Sequence, residues 1–184
     1  MFFVTFTCHQ WLPLVAKVNG YDIIYKWFDL LKNNGHSVNG YVVMPNHVHA
    51  LISFINTKQS INTIIGNGKR FMAYEIIKRL QAQNETEILV TLQSNVETTR
   101  KNNNKQHEVW ELSFDWKDCR SNDFVWQKLD YMHSNPCSGK WQLAENALAY
   151  PHSSAQFYIS GEQGIYHVRN FMEMEDVVFN ERPE

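Results

Sequence analysis

Met44-Pro45-Asn46-His47-Val48-His49-Ala50-Leu51-Ile52-Ser53-Phe54 is the stretch that decides how the chain is organised. Pro45 and Asn46 separate one apolar run, Val38 to Met44, from a second, His47 to Phe54. Proline belongs at strand ends and bulges, and asparagine favours turns. The stretch therefore predicts two strands meeting at Met44-Pro45-Asn46. Alternate residues of a strand share a face. Val48, Ala50, Ile52 and Phe54 make a uniformly apolar face for a core, while His47, His49, Leu51 and Ser53 make the other. Two imidazoles side by side can present nitrogens to one divalent ion. Two strand histidines satisfied by their neighbours would read the same way, and the spacing alone does not choose.

Working outward, Phe2 to Thr7 is rich in Phe, Val and Thr and reads as a strand. Asp22 to Asn33 sets Ile23, Ile24, Trp27, Leu30 and Leu31 at helical spacing and closes at Asn33-Asn34-Gly35. Ile61 to Leu80 reads as a helix broken early by Gly66 and Gly68. Residues 81–106 read as a polar, mobile insertion, with a short strand expected at Ile88 to Leu92. Trp110, Leu112, Phe114 and Trp116 alternate with polar residues, which predicts a strand over Trp110 to Trp116. Phe124 to Ser134 predicts a helix entered through Ser121, Asn122 or Asp123 and stopped at Asn135-Pro136. This order predicts an α+β sandwich around an antiparallel sheet.

Composition bounds the function. The 184 residues suit one domain, and 43% hydrophobic with 20% charged content suits a globular chain. No apolar run approaches the ~18 residues that cross a bilayer. Met1 to Leu14 lacks a basic leader segment and reads as a strand. Cys8, Cys119 and Cys137 are few and far apart, so neither a disulfide framework nor a cysteine zinc cluster is expected, and a reducing cytosol is the default. The net charge of −2 argues against a nucleic-acid partner. Five acids and one Arg lie between Glu173 and Glu184, however. Without that stretch, 16 basic residues face 14 acidic ones, a net charge of +2. The expected division is a domain over 1–160 and a C-terminal extension over 161–184 that carries the acidic tail.

Tyr131 is the second residue with chemistry. On the predicted helix it shares a face with Gln127, Lys128, Ser134 and Asn135, at three- and four-residue spacing. A neutral phenol is a poor nucleophile, and needs nearby positive charge and a metal on its target to become a good one. Lys128 stands one turn before it and Asn135 one turn after. An ordinary tyrosine at a helix–sheet seam fits the same pattern.

Together, Met44-Pro45-Asn46-His47-Val48-His49 and Asp130-Tyr131-Met132-His133-Ser134-Asn135-Pro136 resemble the paired motifs of the single-tyrosine HUH transposases of the IS200/IS605 type, in particular their REP-associated (RAYT) branch. Phe3-Val4-Thr5-Phe6, Gly68-Lys69-Arg70-Phe71 and Tyr150-Pro151-His152-Ser153-Ser154 extend the resemblance over most of residues 2–158. Histidine-triad nucleotide hydrolases are a poorer match, because their third histidine would stand at Leu51. The resemblance implies a ferredoxin-like or RRM-like sandwich. It implies Mg2+ or Mn2+ on His47 and His49, with Asn135 as a third ligand, and Tyr131 as the nucleophile. The implied reaction is cleavage and rejoining of hairpin-bearing single-stranded DNA through a 5′-phosphotyrosine, in the bacterial cytoplasm at the nucleoid, by a monomer or a homodimer.

Lys69, Arg70, Lys117, Arg120, Lys128 and Lys140 are the candidate phosphate contacts. Trp110, Trp116, Trp126 and Trp141 are candidate base-stacking residues. The low net charge, and Cys137-Ser138-Gly139-Lys140 in place of a basic run, leave open a silent hairpin-binding module. A phosphodiesterase acting on a small nucleotide through the histidines alone is a further alternative.

Overall fold

The computed structural model describes residues 1–55, 59–96, 106–139 and 141–174. Among them the sheet has four strands: β1 (Phe2–Thr7), β2 (Ser37–Val43), β3 (His47–Ser53) and β4 (Asp115–Asp118). Their order is β2-β3-β1-β4, and all three pairings are antiparallel. With α2 (Tyr21–Asn33) between β1 and β2, and α3 (Ile61–Ala82) after β3, this is the split β-α-β arrangement of a ferredoxin-like α+β sandwich. A one-turn helix, α1 (Leu14–Lys17), precedes α2.

One face of the sheet carries Val4, Phe6, Val48, Ala50 and Ile52. These pack with Ile24, Trp27 and Phe28 of α2 and with Ile65, Met72 and Ile76 of α3. The other face carries Phe3, Val42 and Leu51 and is covered by Val125, Leu129 and Met132 of α5 (Asn122–Ser134), together with Tyr150 and Phe171. All seven residues of β3 are buried, because both faces of this central strand are covered. The face of His47 and His49 therefore lies beneath a helix and not in open solvent. Gly40, on β2, permits that helix to approach: a Cβ there would stand 2.7 Å from Leu129 Cδ2. Ser121 caps α5 by accepting from the Phe124 N–H, and Asn135–Cys137 continues it as a single 3-10 turn containing Pro136.

Three sequence expectations need correction. The helix from Ile61 is not broken at Gly66 or Gly68. It runs unbroken to Ala82, and Gly68 is where α3 meets α2, since a Cβ would lie 2.2 Å from Trp27 Nε1. Ile88 to Leu92 is not a strand but lies within α4 (Thr86–Ser94), whose Leu92 side chain is buried against the core. The strand expected over Trp110 to Trp116 forms only at Asp115–Asp118. Upstream of it, Trp110 makes a single bridge to Cys8, and the Lys69 ammonium donates to the Glu111 and Ser113 carbonyls. Those carbonyls are thereby engaged by a side chain and not by a ladder.

The outer edge of β2 is closed by later parts of the chain. Ser154 N–H donates to the Tyr41 carbonyl, Val43 N–H to that of His152, and Arg169 N–H to that of Val38. The latter part of the chain thus folds back on the sheet, and Tyr166 and Val168 join the first core while Phe171 joins the second. This holds for the extension as far as residue 174. Its remaining acids lie outside the described residues, as do 97–105 of the polar insertion. The three cysteines are free thiols.

Candidate active site

β1 and β3 hold the histidines by register. Thr5 pairs with His49 and Thr7 with His47. The imidazole centroids are 4.8 Å apart. Each ring has its Nδ1 engaged by a neighbouring oxygen: His49 Nδ1 lies 2.7 Å from Thr5 Oγ1, and His47 Nδ1 lies 2.7 Å from Asn46 Oδ1. Asn46 can only accept at that oxygen, so Nδ1 of His47 carries the proton and its Nε2 carries a lone pair. On His49, Asn135 Nδ2 stands 3.2 Å from Nε2. An amide nitrogen donates, so Nε2 accepts and Nδ1 donates to Thr5. Both rings thus have the same tautomer, with both Nε2 lone pairs turned away from the oxygens that orient them. Side-chain oxygens in this role fix the tautomer of metal-binding histidines.

Burial keeps both rings neutral. Desolvation draws His47 down to about 4, partly opposed by a hydrogen bond to Asn135, and draws His49 down to about 3, helped by the charges of His47 and Lys128. Neutral imidazoles are the metal-binding form. Two such nitrogens with the Asn135 amide are a chemically fitting set for a divalent ion, with further positions left for water and phosphate oxygens. Among the described residues no group of three His, Cys, Asp or Glu gathers, and Asn135 is a further polar side chain in contact with the pair.

Tyr131 stands over this site. Its ring meets that of His49 edge to face, with centroids 5.3 Å apart, and that of Phe3 at 6.2 Å. Phe3 in turn stacks on His49 at 5.4 Å and 17°. More than half of Tyr131 is exposed. The helix therefore presents the phenol at the open rim of the site, with the partly buried Asn135 against His49. Lys128 Nζ lies 5.9 Å from the Tyr131 ring centre and 5.4 Å from that of Phe3.

Among the described residues the candidate phosphate contacts do not gather in one place. Lys117 pairs with Phe3 across the β1–β4 register and shares the histidine face with Lys128. Arg120, nearby in sequence, is ion-paired to Asp118 at 2.9 Å. Lys69 is buried in α3, on the opposite side of the sheet, with its ammonium on backbone carbonyls. Arg70 lies on the same helix beside Phe71 and lines a groove of about 820 Å³ between α3 and residues 106–114. Lys140 lies outside the described residues. Of the four tryptophans named as stacking candidates, Trp110 is buried, with its indole donating to the Lys69 carbonyl. Trp126 packs on Tyr158 and Phe171, Trp141 packs on the core beneath α5, and Trp116 packs on Phe2.

The orienting roles of Thr5 and Asn46 do not appear in the sequence reading: Asn46 was legible by adjacency to His47, whereas Thr5 reaches His49 only through the β1–β3 register.

No protein-family model and no curated protein matches the chain. Among solved structures, that of a REP-associated tyrosine transposase bound to a REP hairpin is similar to it, with a TM-score of 0.60 and 14% identity over 100% of this chain and 92% of the other. A crystal structure of a Deinococcus radiodurans protein assigned as a transposase has a TM-score of 0.42 and 15% identity over 72% of this chain and 88% of its own. The first likeness gives this chain the fold of a REP-associated tyrosine transposase, the group whose two motifs its sequence resembles.

Proposed function

We propose that this chain is a metal-dependent single-strand DNA endonuclease and strand transferase of the IS200/IS605 type that acts on hairpin-bearing DNA through Tyr131. One observation carries the reading: a half-exposed tyrosine packs on one of two adjacent neutral histidines, with an amide one turn further along its helix on that histidine's nitrogen. Two motifs far apart in sequence meet in one place, on the fold of a protein solved with a REP hairpin.

His47 and His49 would hold the ion through Nε2, with Asn135 as a third ligand through its amide oxygen once that amide, whose nitrogen faces His49 Nε2, turns over. A bound Mg2+ or Mn2+ supplies Lewis-acid polarisation of the scissile phosphate. The residues do the rest. The Tyr131 Oη forms a bond to phosphorus, the P–O3′ bond breaks, the phenolic proton passes to water, and the departing 3′ oxygen takes one up. Lys128 places positive charge beside the phenol where negative charge develops. Attack on the adduct by a 3′-OH reverses these changes and needs no external energy source. The substrate proposed is a single strand carrying a hairpin. The assembly is a monomer or a homodimer, and the place of action is the bacterial cytoplasm. No helix among the described residues is long and apolar enough to cross a membrane.

The test is incubation with hairpin single-stranded DNA and Mg2+ or Mn2+. The expected product is a covalent protein–DNA adduct that is lost in Tyr131→Phe and on chelation. An adduct unchanged in Tyr131→Phe would overturn the assignment of the nucleophile. Tight hairpin binding with no cleavage in any divalent ion would identify a binding module instead.

A further inference from the structure

Tyr131 occupies one end of the imidazole pair, and an aromatic side chain with no role so far occupies the other. The indole of Trp11 lies against His47, with centroids 5.9 Å apart and planes at 66°. Trp11 is 58% exposed. The rings thus run Trp11, His47, His49, Tyr131, at successive spacings of 5.9, 4.8 and 5.3 Å.

The backbone here is unusual. Gln10 and Trp11 both have left-handed φ values, 50° and 58°, a region that residues with large side chains rarely adopt. They are held there on three sides. Trp11 N–H donates to the Cys8 carbonyl at 3.0 Å, Gln10 N–H donates to Glu111 Oε1 at 2.7 Å, and Asn46 Nδ2 donates to the Trp11 carbonyl at 3.2 Å. Asn46 is the same side chain that orients His47. One buried amide therefore fixes both the metal-binding imidazole and the turn that carries the indole. A large apolar ring is kept open to solvent beside the reacting centre by a constrained turn, when a relaxed one would let it fold away.

The direction of the reaction says what the ring faces. In a phosphoryl transfer the entering and leaving oxygens are roughly in line, on opposite sides of phosphorus. Tyr131 enters from the His49 end. The leaving 3′ oxygen and its nucleoside then belong at the His47 end, where Trp11 stands.

We propose that Trp11 is a stacking platform for the unpaired nucleobase immediately 5′ of the scissile phosphate, and so retains the strand that bears the released 3′-OH. This rests on the nuclease reading above. An indole face accepts any base, so Trp11 supplies retention and alignment, with little sequence preference.

The test pairs protein and DNA changes. Binding of hairpin DNA with a single-stranded flank is measured for Tyr131→Phe and for Tyr131→Phe combined with Trp11→Ala, with one abasic site moved through the flank. At one position the abasic site should cost about five- to a hundred-fold in affinity. Trp11→Ala should cost a similar factor, and the two together no more than either alone. Trp11→Phe should restore most of the binding, which separates stacking from any disturbance of the turn. With Tyr131 intact, Trp11→Ala should lower rejoining more than cleavage. Penalties that simply multiply at every position would overturn the role of Trp11 and leave the nuclease reading standing. Failure of Tyr131→Phe to bind hairpin DNA at all would overturn both.

Discussion

Thr5 Oγ1 lies 2.7 Å from His49 Nδ1, placed there by the β1–β3 register that sets the two residues opposite each other. A hydroxyl two strands deep in the sheet thus holds the Nδ1 edge of His49 and leaves Nε2 turned toward Asn135. Thr5→Val keeps the side chain's shape and removes the acceptor. The expected result is a 10- to 100-fold weaker affinity for Mn2+, measured by calorimetry, with an unchanged far-UV spectrum. An unaltered affinity would show that the hydroxyl does not orient the ring.

Lys128 and Arg120 are both cations close to Tyr131 in sequence, but only Lys128 faces the site. Its ammonium is near the rings of Phe3, Phe124 and Tyr131, whereas Arg120 is paired with Asp118. Lys128→Gln should weaken binding of single-stranded DNA and reduce its dependence on salt by about one ion. Arg120→Gln should change both by less. Equal effects in a salt titration would contradict the difference in placement.

Gly66 and Gly68 stand about half a turn apart, on roughly opposite sides of α3, and should respond in opposite ways. A Cβ on Gly66 meets nothing within 4 Å, so Gly66→Ala should stabilise the helix by roughly 0.5–1 kcal/mol. A Cβ on Gly68 would enter the Trp27 indole, so Gly68→Ala should destabilise by about 1–3 kcal/mol through overpacking. Urea denaturation of the two variants reads both signs.

Arg79 on α3 grips Asp22 on α2 with two hydrogen bonds of 2.7 Å. That contact, with help from Lys26, holds the Asp22 carboxyl down to about 2 from an ordinary 3.8. The unfolded chain then binds the proton more readily than the folded one. The pair's contribution is therefore complete above pH 4 and is lost as pH falls toward 2. Asp22 is 46% exposed, so solvent screening limits the contribution to roughly 0.5–1 kcal/mol. Arg79→Gln should be less stable by that amount at pH 7, with the difference from the wild-type chain closing between pH 4 and pH 2.

The strands and helices that carry the site were legible because their signals are local. Alternation along His47 to Phe54 gave the two faces of β3, and Ser121 with Asn135-Pro136 marked the ends of α5. The misreadings share a cause, which is that neighbours far along the chain decide them. Gly68 reads as a helix breaker until Trp27 is seen to need the space. Lys69 reads as a phosphate contact until the carbonyls of Glu111 and Ser113 are seen to surround it. Ile88 to Leu92 is apolar enough for a strand, but helix α4 lets Leu92 reach the core. At the site, the residue types and their two motifs were readable. The orienting oxygen of Thr5 and the indole of Trp11 were not, because register and a left-handed turn bring them there.

Tyr131 and Asn135 ride on a single helix, one turn apart, above histidines that belong to the sheet. The rise between them is about 6 Å and is fixed by helical geometry. The site is consequently two rigid halves, an anvil of strands and a hammer of helix, meeting across the seam that Gly40 leaves open. Any slide of the hammer carries phenol and amide together, so their mutual spacing survives while their aim at the histidines is lost. Tuning such a centre is a matter of seating one block on another, and a bulkier residue at position 40 would shift every distance between helix and histidines at once.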